Sequence, residues 1–155
     1  MKYALFLFTA LILNACAMQS VKHAYEGELE STDRLAIIWT AGENFTSIQK
    51  VNDEKVNAFV KAVYIKPGSN TVHIQRSEEI VLGVKSNWNW VFKFNAEAGH
   101  TYYFAPVPAG INQYSLVGYD GGTDFPDVTQ DLSSKEHKHL RNLIKHRQTI
   151  MLYKP

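Results

Sequence analysis

Three histidines crowd the C-terminal tail at His137, His139 and His146, and a zinc site is the first chemistry they suggest. Zinc ligands on one helix stand at i and i+4, as in H-E-x-x-H, so that both imidazoles share a face. His137 and His139 are two residues apart and diverge, while His139 and His146 are separated by two turns. That spacing reads as a solvated basic helix. Asp120-Gly121-Gly122-Thr123-Asp124-Phe125-Pro126-Asp127 gathers three carboxylates, the hard oxygen donors that calcium prefers. EF-hand spacing and its closing bidentate Glu are missing, so the segment reads as an acidic turn. Glu78 and Glu79 are adjacent, and on a strand they would point to opposite faces rather than work as a close acid–base pair. The chain has no G-x-S-x-G or S-x-x-K for a serine nucleophile, and no Gly-rich phosphate cradle. No catalytic, cofactor-binding or metal-ligating residue is therefore assigned, and the expectation is a non-enzymatic protein without a cofactor.

The one cysteine, Cys16, excludes an intramolecular disulfide and a thiolate metal cage. It follows Met1-Lys2-Tyr3 and an apolar run from Ala4 to Leu13, which is too short to span a bilayer and reads as a secretory h-region. Leu13 at −3, Ala15 at −1 and Cys16 at +1 resemble the lipobox of bacterial lipoproteins. The resemblance implies removal of residues 1–15 as a signal peptide, diacylglycerol on the Cys16 thiol and fatty acylation of the palmitate type. Ala17, rather than Asp, after the cysteine implies an outer-membrane address. Burying acyl chains contributes about 0.8 kcal/mol per CH₂, and two signals hold a protein stably.

The elements that would position any site are mostly strands. Residues 16–33 are polar and turn-rich, and are expected to be a lipidated Cys followed by a flexible tether. From residue 34 the chain reads as one domain. Short apolar runs separated by turn residues cover 35–39, 47–51, 59–65, 71–75, 80–84, 88–94, 102–107 and 114–119. Eight such runs fit an antiparallel sandwich or small barrel, and a β-sandwich of about seven to eight strands is the expectation. Trp88, Trp90, Phe92 and Phe94 alternate with Asn89, Lys93 and Asn95, so the four aromatics share one face, which suits a core strand. Ser133-Ser134-Lys135-Glu136 is a capping box. It opens an amphipathic helix from about 134 to 146 with Leu140, Leu143 and Ile144 on one side, and 149–153 could add a last strand.

The whole chain of 155 residues carries 16 basic and 15 acidic residues, which gives no footing for nucleic acid. The halves differ. Residues 16–132 hold 9 basic and 14 acidic residues, and residues 133–155 hold 6 basic and 1 acidic. A basic tail can meet an anionic partner or dock on its own acidic domain. Docking is expected, because the helix has apolar residues to bury.

Val63 to Ile74 gives a strand, the Pro67-Gly68 turn and a second strand; Phe94-Asn95-Ala96-Glu97-Ala98-Gly99-His100-Thr101-Tyr102-Tyr103-Phe104 follows. This pair of segments resembles small bacterial envelope lipoproteins with a PEGA-like, transthyretin-like β-sandwich, over about 35–107. The resemblance implies an exported accessory or binding module in the cell envelope, held to the membrane by its lipid and with an envelope protein or glycan as partner. The alternative is a periplasmic glycan- or peptide-binding module that uses edge aromatics, with Trp39, Trp88, Trp90, Tyr102 and Tyr103 as candidates. The least favoured is a hydrolase or metal enzyme with a scattered site.

Overall fold

The computed structural model describes residues 21–25, 30–40, 46–56, 60, 62–81, 84–129 and 133–153. The strands are β1 (Val21–His23), β2 (Ala36–Trp39), β3 (Thr46–Val51), β4 (Glu54–Lys55), β5 (Ala62–Ile65), β6 (Gly68–Val81), β7 (Val84–Ala96), β8 (Thr101–Gly110), β9 (Gln113–Asp120) and β10 (Gln148–Tyr153). Among the described residues a 3₁₀ turn spans Thr32–Arg34 and one α-helix, α1, spans Ser134–Lys145. Six strands form one sheet in the order β1-β5-β2-β8-β9-β10, and four form the other in the order β4-β3-β6-β7. The two sheets face each other as a β-sandwich, and α1 packs on the outer face of the six-stranded sheet.

The three layers explain why only some strands alternate in sequence. Ala36, Ile38, Val63, Ile65, Tyr102 and Phe104 point inward and meet Ile48, Val72, Ile74, Trp90 and Phe92 of the four-stranded sheet. Trp39, Ala62, Tyr103 and Ala105 point outward and meet Phe125, Val128, Leu140 and Ile144. The inner strands of the larger sheet are thus buried on both faces, so β5 is buried at all four positions and reads as a continuous apolar run. Strand β7 has one solvated face, and its side chains alternate in burial.

Several expectations change in detail. Among the described residues there are ten strands, because seven of the eight runs form strands of their own and β1, β4 and β10 join them. Within the run 80–84, Ile80 and Val81 end β6 and Val84 opens β7, with Val81 paired to Val84; 82 and 83 lie outside the described residues. The sheets are not wholly antiparallel, since β1 pairs parallel with β5 and β2 pairs parallel with β8. Parallel neighbours need a long crossover, and the segment between β2 and β8 supplies one by building the second sheet. The tether also shortens. Val21–His23 already pairs with β5, and Ala24 is buried while its N–H donates to Tyr64 O at 3.0 Å. The ordered domain therefore includes residues well before 34.

Pro67-Gly68 and Ala98-Gly99 are both corners at which the chain changes sheet. Gly68 and Gly99 have φ of 105° and 77°, conformations that L side chains rarely adopt. Buried Asn70 fastens the first corner by donating from Nδ2 to Lys66 O (3.0 Å) and Gly68 O (2.9 Å). Its Oδ1 accepts from Asn52 Nδ2 at 3.0 Å. Asn70→Ala is expected to cost about 1–3 kcal/mol, because it strips partners from groups at a buried corner. The shift of the urea midpoint measures this, and an unchanged midpoint would show that the corner is held by other means.

The helix begins as its capping box dictates. Ser133 Oγ accepts from Glu136 N, and Glu136 Oε2 accepts from Ser133 N at 2.8 Å. The Ser133 hydroxyl, which also donates to Glu136 Oε2 at 2.5 Å, and then the Ser133 N–H hold the Glu136 carboxyl below its usual pKa. His137, Leu140 and Ile144 are buried on the sheet-facing side. Just past the helix, Arg147 donates to both carboxylate oxygens of Asp124, at 2.8 and 3.2 Å. The basic tail thus docks on its own domain.

Candidate functional site

At the corner end of the sandwich, beside α1, the outer face of the six-stranded sheet opens into a cleft of about 400 Å³. Its apolar and aromatic lining comes from Ile37, Tyr64 and Phe125. Asp33 and Asp127 supply carboxylates, and Thr32, Thr101 and Thr123 supply hydroxyls. Ala98 and Gly99 complete the wall. Four separate segments converge here because the 3₁₀ turn, the second inter-sheet corner and the loop after β9 all lie at the same end of the sheet.

Each polar group is set by its local turn. The Tyr64 hydroxyl donates to Thr129 Oγ1 at 3.2 Å, and Thr129 Oγ1 donates to Asp127 Oδ1 at 2.6 Å. Thr129 N also donates to Asp127 Oδ1, at 2.8 Å, closing an Asx turn that fixes the carboxylate. Asp33 accepts a hydrogen bond from Ser31 Oγ. That bond, the backbone N–H of Asp33 and the nearby Arg34 charge hold its carboxyl below the usual carboxylate range. Gly99 N donates to Leu35 O at 2.7 Å, and a Cβ built on Gly99 would stand 3.4 Å from Thr123 Cγ2. A side chain at position 99 would meet Thr123 across the wall. An aromatic floor with anionic and hydroxyl acceptors suits a small polyhydroxylated or cationic ligand.

The aromatic residues expected to form a platform are placed elsewhere. Trp39 and Tyr103 are buried beneath α1, and Trp90 and Tyr102 are buried between the sheets. Trp88 is partly buried and meets Tyr114 edge to face at 5.1 Å. The structure therefore brings no open surface out of these five. Cys16 lies outside the described residues. His137 also departs from the solvated reading: it is 7% exposed and stacks on Trp39 at 5.8 Å. The spacing 137, 140 and 144 was the available signal, since those residues share one helix face.

The three carboxylates of the loop after β9 point to different partners rather than to one cation. Asp120 turns to His100, Asp124 to Arg147 and Asp127 to Thr129. Among the described residues no three His, Cys, Asp or Glu side chains form a metal-binding group.

Sequence reasoning missed the pairing of His100. Its Nδ1 lies 3.0 and 3.1 Å from the two oxygens of Asp120, and its Nε2 lies 3.6 Å from Glu97 Oε2. Gly122 N donates to Asp120 Oδ1 at 2.8 Å. A His–Asp relay that serves a nucleophile needs its second nitrogen aimed at a hydroxyl or thiol. Here that nitrogen faces a carboxylate, so the arrangement ties the start of β8 to the end of β9. His100 and Asp120 stand 20 residues apart, and only the β8–β9 pairing brings them together.

Compared with protein-family models, curated proteins and solved structures, the chain matches none.

Proposed function

We propose that this chain is a lipid-anchored lipoprotein of the bacterial envelope, addressed to the outer membrane, that acts as a non-catalytic accessory and binding module. The cleft beside α1 is its binding site, and a small saccharide is the ligand class its lining favours. The observation that carries this reading is the meeting of Tyr64 and Phe125 with Asp33, Asp127 and three threonines in one cleft. Sugars offer apolar C–H faces to aromatic rings and hydroxyl donors to carboxylates, so this combination suits them. The lipobox-like segment at Cys16 supports the anchor, and the sequence resemblance over 63–74 and 94–104 supports the envelope setting.

The test is calorimetric titration of the full chain in detergent micelles with disaccharide-peptide fragments of peptidoglycan. Binding is expected, and Asp127→Ala should weaken it about tenfold or more, since a hydrogen bond to a charged group contributes about 1.5–3 kcal/mol. Absence of heat with these fragments, or equal affinity in the variant, would remove the saccharide assignment.

A further inference from the structure

The end of the sandwich opposite the cleft carries two projecting hairpins. One is formed by β8 and β9, the other by β6 and β7. They are tied together by Arg76, which is buried with its guanidinium 3.6 Å from the Tyr114 ring centroid and 5.8 Å from that of Trp88. Arg76 also pairs with Glu78 at 2.8 Å.

The first tip is unusual in composition. No charged side chain stands between His100 and Asp120, and the turn itself reads Pro108-Ala109-Gly110-Ile111-Asn112. Ile111 is 93% exposed. Turns favour Gly, Pro, Asn, Asp and Ser, so a fully exposed β-branched residue at the apex works against both turn preference and hydration. In sequence, the segment between β6 and β7 is likewise uncharged, Ile80-Val81-Leu82-Gly83-Val84 being flanked by Glu79 and Lys85.

The direction of the N-terminus supplies the second observation. Strand β1 runs parallel to β5, β5 antiparallel to β2, and β2 parallel to β8. The N-terminal end of β1 therefore faces the hairpin end. Val21 stands level with Ala62, Trp39 and Tyr103. From Tyr103 to Gly110 the strand rises about 23 Å at roughly 3.3 Å per residue. The five residues from Cys16 to Val21 reach at most about 18 Å.

We infer that the hairpin end is a membrane-contacting pole, with the Ile111 tip seated in the interfacial layer of a phospholipid bilayer. The inference rests on the Cys16 anchor: a leash this short, leaving on the side of the hairpins, brings the Ile111 tip to the surface that holds the lipid. The cleft, at the opposite end, then faces away from that membrane.

The experiment places a thiol-reactive, polarity-sensitive fluorophore on Ile111→Cys in the full chain, reconstituted in phosphatidylethanolamine–phosphatidylglycerol vesicles. Ala98→Cys, at the cleft end, is the control, and the wild type is labelled in parallel. An acylated Cys16 leaves the wild type without label. Position 111 is then expected to show a blue shift, a several-fold rise in emission and quenching by spin-labelled lipid, while position 98 stays water-like. Water-like emission at 111 in a chain whose Cys16 is blocked overturns the pole and leaves the anchor standing. A wild type that takes the label overturns the anchor. The pole is then read in Cys16→Ser/Ile111→Cys with the same vesicles, where an unchanged spectrum overturns it as well.

Discussion

Trp39→Ala is expected to destabilise the protein by about 3–5 kcal/mol, the usual range for emptying a large aromatic site in a core. Trp39 is fully buried and sits at the junction of sheet, loop and helix. Its ring centroid lies 4.9 Å from Tyr103, 6.4 Å from Phe125 and 5.8 Å from His137. Removing it takes the floor from under α1, so helix amides should exchange faster than those of the inner strands. Trp39→Phe should lose less, because the indole Nε1 is buried without a hydrogen-bond partner among the described residues, and only ring volume is forfeited. Chemical denaturation followed by hydrogen exchange reads both effects. A loss below about 1 kcal/mol would match an ordinary surface substitution and contradict the core role of this residue.

On the proposed lipoprotein reading, Cys16→Ser is expected to abolish lipid attachment and the anchoring that depends on it. In the proposed anchor the thiolate would be the nucleophile that accepts lipid, and a serine hydroxyl does not replace it at neutral pH. The apolar run from Ala4 to Leu13 is too short to hold the chain as a membrane span, and among the described residues no helix is long and apolar enough to cross a membrane. Metabolic fatty-acid labelling with detergent partitioning should show the wild type labelled and in the detergent phase. The variant should be unlabelled, as an uncleaved precursor or in the aqueous phase. Equal labelling of the two would show that Cys16 is not the anchor.

The sequence made some elements legible and hid others for physical reasons. The capping box at Ser133 and Glu136 sets the helix start locally, so it was readable without the fold. The aromatic alternation of 88–94 was readable because β7 has one wet face. Strand β1 was not, since Val21-Lys22-His23 joins the sheet through backbone pairing and carries no pattern of its own. The parallel pairing of β2 with β8 joins residues more than sixty positions apart, which no local signal encodes. The cleft was missed for the same reason. Asp33, Tyr64, Thr101 and Phe125 come from four segments that meet only after the sheet forms. The aromatics that drew attention, Trp39 and Tyr103 among them, are the residues that build the sheet beneath α1.

The central claim, that the cleft beside α1 is where this module holds its ligand, is tested most directly by mapping amide chemical shifts. The isotopically labelled full chain would be titrated in micelles with peptidoglycan disaccharide-peptides. Perturbations are expected to concentrate at Gly99, Thr101, Thr123 and Asp127, with the indole signals of Trp39 and Trp90 unmoved. Perturbations gathered instead around Trp88 and Tyr114, or none anywhere at saturating ligand, would contradict it.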